Sequence, residues 1–413
     1  MGHQNAETSA GMTGVAIIIS MIALITLRWS SQTELSYYSP FVYSAWGVMI
    51  WYFAPAKRSL WMLLTSAVIL RIGCVGAELV WSDDAYRYLW EGKTVLNGQN
   101  PFSTPPESFT VQDGIREYVN HPTIPSVYPP LAQVWFALQA WIWYNSSMPQ
   151  IAGALLDIGT LIAIWVWLKR HNRSVQGAWM YALHPLPIIE CSWSGHLESL
   201  ALFCLAWGLV GYDRWGKWVW FFGGWVKLLP FLLLSFSRHW RWRSICFMVL
   251  GSLFIVWPFW EPSALQGLQT YAAHWSYNAS IFSLLSLWSP TFARLICILI
   301  AGMAGLFVWW NWFQLRLGID RAILLVGIIF VICSPTVHPW YALWVMIPML
   351  MVKDDQTCIV WGLWCSLIPL TYVSIFTLNP LTGEWSPPLW PTLISYLVPL
   401  AIWLSFQYKK VVD

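Results

Sequence analysis

Leu295-Ile-Cys-Ile-Leu-Ile-Ala-Gly-Met-Ala-Gly-Leu-Phe-Val-Trp-Trp310 carries no charge. With its flanks it makes an apolar run over 292–312, the ~17–25 residues a helix needs to cross ~30 Å of hydrocarbon. Similar runs recur on both sides. They cover 11–27, 38–54, 59–77, 130–145, 150–168, 175–191, 197–212, 217–237 and 244–260 before it, and 322–336, 340–352, 357–378 and 390–408 after it. Composition points the same way: 58% of residues are hydrophobic, 10% are charged, and mean hydropathy is +0.55. An ordinary soluble globular chain is excluded. The expected fold is an all-α polytopic integral membrane bundle of about 11–14 transmembrane helices. We read residues 1–413 as one transmembrane domain: N-terminal spans 1–80, an outer loop 81–128, core spans 129–352 enclosing a substrate cavity, and C-terminal spans 353–413.

The net charge of +3 comes from Lys and Arg at the ends of runs, so it bears on orientation in a bilayer and not on nucleic acid, which is not an expected partner. The eight cysteines lie mostly inside apolar runs, without the spacing of a zinc site; no cofactor is expected, no residue is assigned as a metal ligand, and the sequence does not reveal a metal requirement. Residues 13–27 follow a flank without a basic leader region, so they read as a retained first span. Lys57-Arg58 should be cytoplasmic, which places the N-terminus inside and the Asp83-Asp84 loop outside. Arg316 and Arg321, taken from the other end, put the C-terminus inside and His338 on the same outer face. Full crossings throughout would leave Lys169 to Arg173 outside, so some runs must be half-length or re-entrant. The best candidates are 130–145 and 217–237, the latter interrupted by Lys227 and Pro230.

The outer loop, 82–128, is too long for a connector and rich in proline, which suits a functional segment. It opens on Trp81-Ser-Asp-Asp-Ala-Tyr-Arg-Tyr-Leu-Trp-Glu-Gly92, adjacent carboxylates with an Arg and aromatics, and residues 86–95 predict a short interfacial helix. Taken alone, Asp83 and Asp84 could simply suit a helix start and pair with Arg87 one turn on. Distant polar residues at outer run ends shift that balance: Tyr128, His184, Glu190, His196, Glu198, Lys227, Trp275, Asn278, His338 and Tyr341. Ionisable groups beside spans are costly and rarely idle. A carboxylate, several cations and aromatic walls facing outward suit transfer of a group from a lipid-linked phosphate. The phosphate leaves readily and needs cations, whereas the acceptor hydroxyl needs a base.

The order of these motifs resembles a known family. Asp83-Asp84-Ala-Tyr86-Arg87-Tyr88-Leu-Trp90-Glu91-Gly92, then Asn100-Pro101-Phe102, Tyr128-Pro129-Pro130, His184-Pro185, Gly195-His196-Leu-Glu198, Lys227-Leu-Leu-Pro230, Trp275-Ser-Tyr-Asn278 and Ser334-Pro335-Thr-Val-His338-Pro339-Trp340-Tyr341 are similar to the bacterial polyprenyl-phosphate-sugar mannosyltransferases of the GT-C superfamily. The resemblance implies a GT-C-type bundle in a bacterial plasma membrane, working on the outer face. It implies Asp83 as catalytic base with Asp84 beside it, and Arg87, Lys227 and His338 on the donor phosphate. Tyr86, Tyr128, His196, Glu198, Trp275, Asn278 and Tyr341 complete the expected substrate-binding set. Partners would be a polyprenyl-phosphate sugar donor, membrane lipids, and a glycan, glycolipid or protein acceptor. The family more often has Asn-Asp where this chain has Leu197-Glu198, and fewer spans before the acidic loop.

The reading is thus an inverting membrane glycosyltransferase that transfers a hexose, mannose by resemblance. Its rival is a secondary transporter or lipid or sugar flippase, for which inverted repeats and charges matched between halves would speak; neither is found. A structural assembly subunit is disfavoured by the gathering of polar residues on one face.

Overall fold

The computed structural model describes residues 2–30, 34–53, 59–108, 113–352, 354–377 and 387–412, and the orienting pair Lys57-Arg58 lies outside them. The described chain is helical, with no β-strand among the described residues and one isolated parallel bridge, Tyr277 to Thr336. Among the described residues five helices are long and apolar enough to cross a membrane: Met12–Ser30, Ser147–Arg170, Trp242–Phe259, Pro290–Phe313 and Gln356–Thr377. Pro290–Phe313, the run that opens the sequence reading, leaves Ile298, Met303, Leu306 and Phe307 exposed, a stripe that water would not tolerate. This is a helical membrane protein.

Five long apolar helices are fewer than the number of apolar runs, because several runs are broken into pieces. The run 175–191 divides at His184, which is extended and whose imidazole accepts from Leu186 N. Pro185–Pro187 makes one short turn, and a π-helix covers Ile188–Trp193. The run 217–237 stops at Val226; Lys227 is extended, and Leu229–Leu233 restarts after it with Pro230 at its first turn. Where helices begin cleanly, a cap is present. Ser59 Oγ accepts from Met62 N, and Ser289 Oγ from Phe292 N ahead of Pro290.

The chain forms two compact units, residues 1–73, 161–190 and 276–413 in the first and 74–160 and 191–275 in the second. The first packs around Tyr43, Trp46, Tyr181 and Trp364, all buried. Arg71 is wholly buried there and donates to Ala182 O at 2.6 Å. The second packs helix Asp84–Leu96 against Pro130–Ile142 so closely that a Cβ on Gly92 would fall on the Phe136 carbonyl. Gly92 is therefore required by the approach of two backbones.

Candidate active site

Asp83, Asp84, Tyr86, Arg87, Tyr128, His196, Glu198, Lys227 and Trp275 lie in the second unit; Asn278, His338 and Tyr341 lie in the first.

In the second unit, helix Asp84–Leu96 starts directly after Asp83 and buries Arg87, Tyr88 and Glu91. Arg87 Nε meets Glu91 Oε1 at 2.9 Å, with both side chains nearly out of solvent. Arg87 Nη1 donates to Asn120 O (3.1 Å) and His121 O (3.3 Å), and Nη2 to Ile124 O (2.5 Å). Glu91 Oε2 accepts from Ser126 Oγ and Gln133 Nε2, each at 2.8 Å. The pair therefore fastens the return limb of the outer loop, 120–126, to the helix. A second clamp forms at Asp113, which accepts from Lys93 Nζ (2.9 Å), Tyr144 Oη (3.1 Å) and the backbone N–H groups of Ile115 and Arg116. The described part of the long loop is ordered by its own polar contacts.

That fastening sets Asn120 against the first carboxylate: its Nδ2 donates to Asp83 Oδ1 at 2.6 Å, across 37 residues of sequence. Burial raises the pKa of Asp83 to about 6, the adjacent Asp84 charge adds to the rise, and the Asn120 bond and His196 offset part of it. Asp84 takes a different environment: its Oδ2 is 3.4 Å from Tyr88 Oη and 3.7 Å from Nδ1 of the buried His196. Tyr88 Oη also accepts from Leu197 N at 3.5 Å. Gly195, just before, has φ +65° with the Pro149 backbone 2.8 Å from where a Cβ would stand, so glycine is required at this corner. Gln150 steadies the same region, accepting from Gly76 N and donating to Ala77 O and Trp193 O at 2.8 Å.

Lys227, freed from helix geometry by the break after Val226, forms an ion pair with the buried Glu198. Aromatic contacts complete this cluster: Tyr86 stacks on Tyr118 (4.8 Å between centroids), Tyr128 meets Tyr88 edge-on (5.3 Å), and Trp275 meets His121 edge-on (4.8 Å). Burial and then the Arg87 charge lower the His121 pKa, which keeps the imidazole neutral at pH 7. Asn120 and His121 were not visible as site residues in the sequence. A neutral amide and a lone histidine in a proline-rich loop carry no pattern, and His121 at φ +46° shows its constraint only in three dimensions.

In the first unit the His338 ring stacks on Trp340 (4.3 Å) and Tyr277 (4.8 Å) and meets Tyr341 edge-on (5.8 Å). The bridge between Tyr277 and Thr336 holds the two segments, with Tyr277 N donating to Pro335 O and Val337 N to Tyr277 O. Asn278 is left-handed at φ +48°; its Nδ2 donates to Val337 O at 3.3 Å and its carbonyl accepts from Tyr396 Oη at 3.0 Å. Asn278 lines a cavity of about 200 Å³ whose polar wall is Ser276, Tyr277, Ser283, Thr371 and Ser374 and whose apolar wall is Phe282, Pro387, Pro388, Leu389 and Pro391. Glu190 is fully buried and accepts from Tyr43 Oη (2.8 Å) and Tyr372 Oη (2.8 and 3.0 Å). Among the described residues no group of three or more His, Cys, Asp or Glu could hold a metal ion.

Residues 269–406 match the family model described as the MptB C-terminal domain, a stretch that includes Trp275, Asn278, His338 and Tyr341. The match supports a mannosyltransferase-like family and a glycosyltransferase activity. No curated protein and no solved structure matches the chain.

Proposed function

We propose that this chain is an inverting glycosyltransferase of GT-C type that moves a hexose, mannose first, from a polyprenyl-phosphate sugar to a glycan, lipid or protein acceptor on the outer face of a bacterial plasma membrane. The observation that carries the reading is the Asp83 carboxylate, oriented by one short amide bond from Asn120 and raised to about 6. A base of that pKa is ionised at neutral pH yet basic enough to accept a proton from a hydroxyl as it attacks. The MptB C-terminal match supports the sugar class.

In this mechanism the acceptor oxygen attacks the anomeric carbon, Asp83 takes its proton, and the bond from that carbon to the phosphate oxygen breaks on the opposite side. The departing polyprenyl phosphate keeps its negative charge, so it calls for cations and not for an acid. We assign that role to Lys227, and His338 in the first unit remains a candidate for contact with the donor. Arg87 we assign to the loop, because four of its N–H groups are directed at Glu91 and three carbonyls. Asp84, beside Tyr88 and His196, shapes the field around Asp83. Tyr86, Tyr128, Glu198, Trp275, Asn278 and Tyr341 remain candidates for contacts to sugar or lipid.

The test is incubation of purified protein with radiolabelled polyprenyl-phosphate mannose and candidate acceptors. Label appearing in the acceptor with stoichiometric release of polyprenyl phosphate is expected. Movement of intact donor across proteoliposomes without such release would replace this reading with a flippase.

A further inference from the structure

Ser237-Arg-His-Trp-Arg-Trp-Arg-Ser244 alternates cations with tryptophans, and no acid occurs from Ser237 to Ser252. It leads into the membrane-length helix Trp242–Phe259. Basic and aromatic residues are enriched at such junctions, where the ring lies at headgroup depth and the cation meets lipid phosphate. The structure adds something a junction alone lacks. An apolar groove of about 440 Å³ runs beneath the segment, with Phe221 and Phe231 on one wall, Ile245, Met248 and Val249 on the other, and Trp240 at its rim. That volume falls in the range of ~300–1,000 Å³ typical of sites that take a ligand.

The rim is fixed by contacts. Lys217 donates to the His239 carbonyl, and its ammonium lies 5.7 Å from the Trp240 ring centroid and 5.5 Å from that of Trp218. The Arg243 guanidinium lies 5.6 Å from the Trp242 ring. Arg238, Arg241 and Arg243 are all exposed. A ligand that is apolar along its length and anionic at one end matches both parts. A free phosphate would leave the groove unfilled, and a neutral lipid would leave the cations unmatched.

We propose that this groove and its rim bind one anionic phospholipid, an acyl chain between the Phe221 and Met248 walls and the phosphate on Arg241 and Arg243. The site is separate from the transfer reaction and does not depend on it. The test is native mass spectrometry of full-length protein taken from nanodiscs of phosphatidylcholine with increasing phosphatidylglycerol. One phosphatidylglycerol should stay bound in preference to phosphatidylcholine. Replacing the two cations assigned to the phosphate, Arg241→Gln with Arg243→Gln, should weaken retention about 30-fold, each juxtamembrane cation contributing about fivefold. Val249→Trp should abolish retention by filling the groove. The arginines are exposed, so their double variant tests the proposal even where the tryptophan variant does not fold. Equal retention of the two lipids, or unchanged retention in the double arginine variant, overturns the proposal. Preferential displacement of phosphatidylglycerol by polyprenyl phosphate also overturns it and gives the groove to that lipid.

Discussion

Asp83 stands just ahead of helix Asp84–Leu96 and Glu91 two turns inside it, and they could hardly be treated more differently. Glu91 is wholly buried and accepts from Arg87, Ser126 and Gln133, so both of its oxygens are engaged and its charge is matched. Asp83 sits at the helix start with one amide partner and a second carboxylate beside it. A carboxylate with a full set of donors and a cation holds structure together. A partly desolvated one with a like charge adjacent has a raised pKa and capacity to take a proton. The lesson is that the Arg in this motif is engaged with Glu91 and the loop carbonyls, and by holding that loop it keeps Asn120 against Asp83, the carboxylate proposed as base.

The comparison breaks most visibly at Arg87. Arg87→Met leaves Glu91 as an uncompensated buried charge and frees three carbonyls of the loop. It should cost about 3–5 kcal/mol of stability, read as a large drop in the thermal midpoint of detergent-solubilised protein. A variant that unfolds normally and loses only donor affinity would move Arg87 back to the phosphate.

Lys227→Met comes next. Loss of a charge-assisted contact should weaken use of the lipid-phosphate donor by ~1.5–3 kcal/mol, seen as a raised KM for the donor. Unchanged donor kinetics would confine Lys227 to its pairing with Glu198.

Smaller effects sharpen the contrast. The proposed base at Asp83 would work only when ionised, so turnover should fall as pH drops through about 6. The bond from Asn120 favours the ionised form, so Asn120→Ala should move this acidic limb to higher pH while leaving the fold intact. A pH profile identical to that of the unaltered protein would deny Asn120 its positioning role.

Much of this was legible in the sequence, for reasons that are physical. Apolar runs such as 292–312 announce themselves because a bilayer demands uninterrupted apolar length. Asp83 and Asp84 stood out because charges are rare in such a chain. The break at Lys227 was foreshadowed by Lys227 and Pro230 inside one run. By contrast, nothing in Ile188 to Trp193 distinguishes a π-helix from an α-helix, so apolarity alone makes 175–191 one span. Arg87's partners are mostly backbone carbonyls, which every residue possesses, so no side-chain pattern could reveal them. Asn120 reaches Asp83 only after the loop has folded back.

The most direct measurement is turnover of radiolabelled polyprenyl-phosphate mannose by Asp83→Asn and Asp84→Asn, each checked for an unchanged thermal midpoint. Asp83→Asn keeps the size and can still pair with Asn120 but cannot take a proton. Its turnover should fall ~10²–10⁴-fold with donor binding retained, and Asp84→Asn should fall less. Normal turnover in Asp83→Asn with an inactive Asp84→Asn would transfer the base to the second carboxylate, and normal turnover in both would contradict general-base catalysis at this helix.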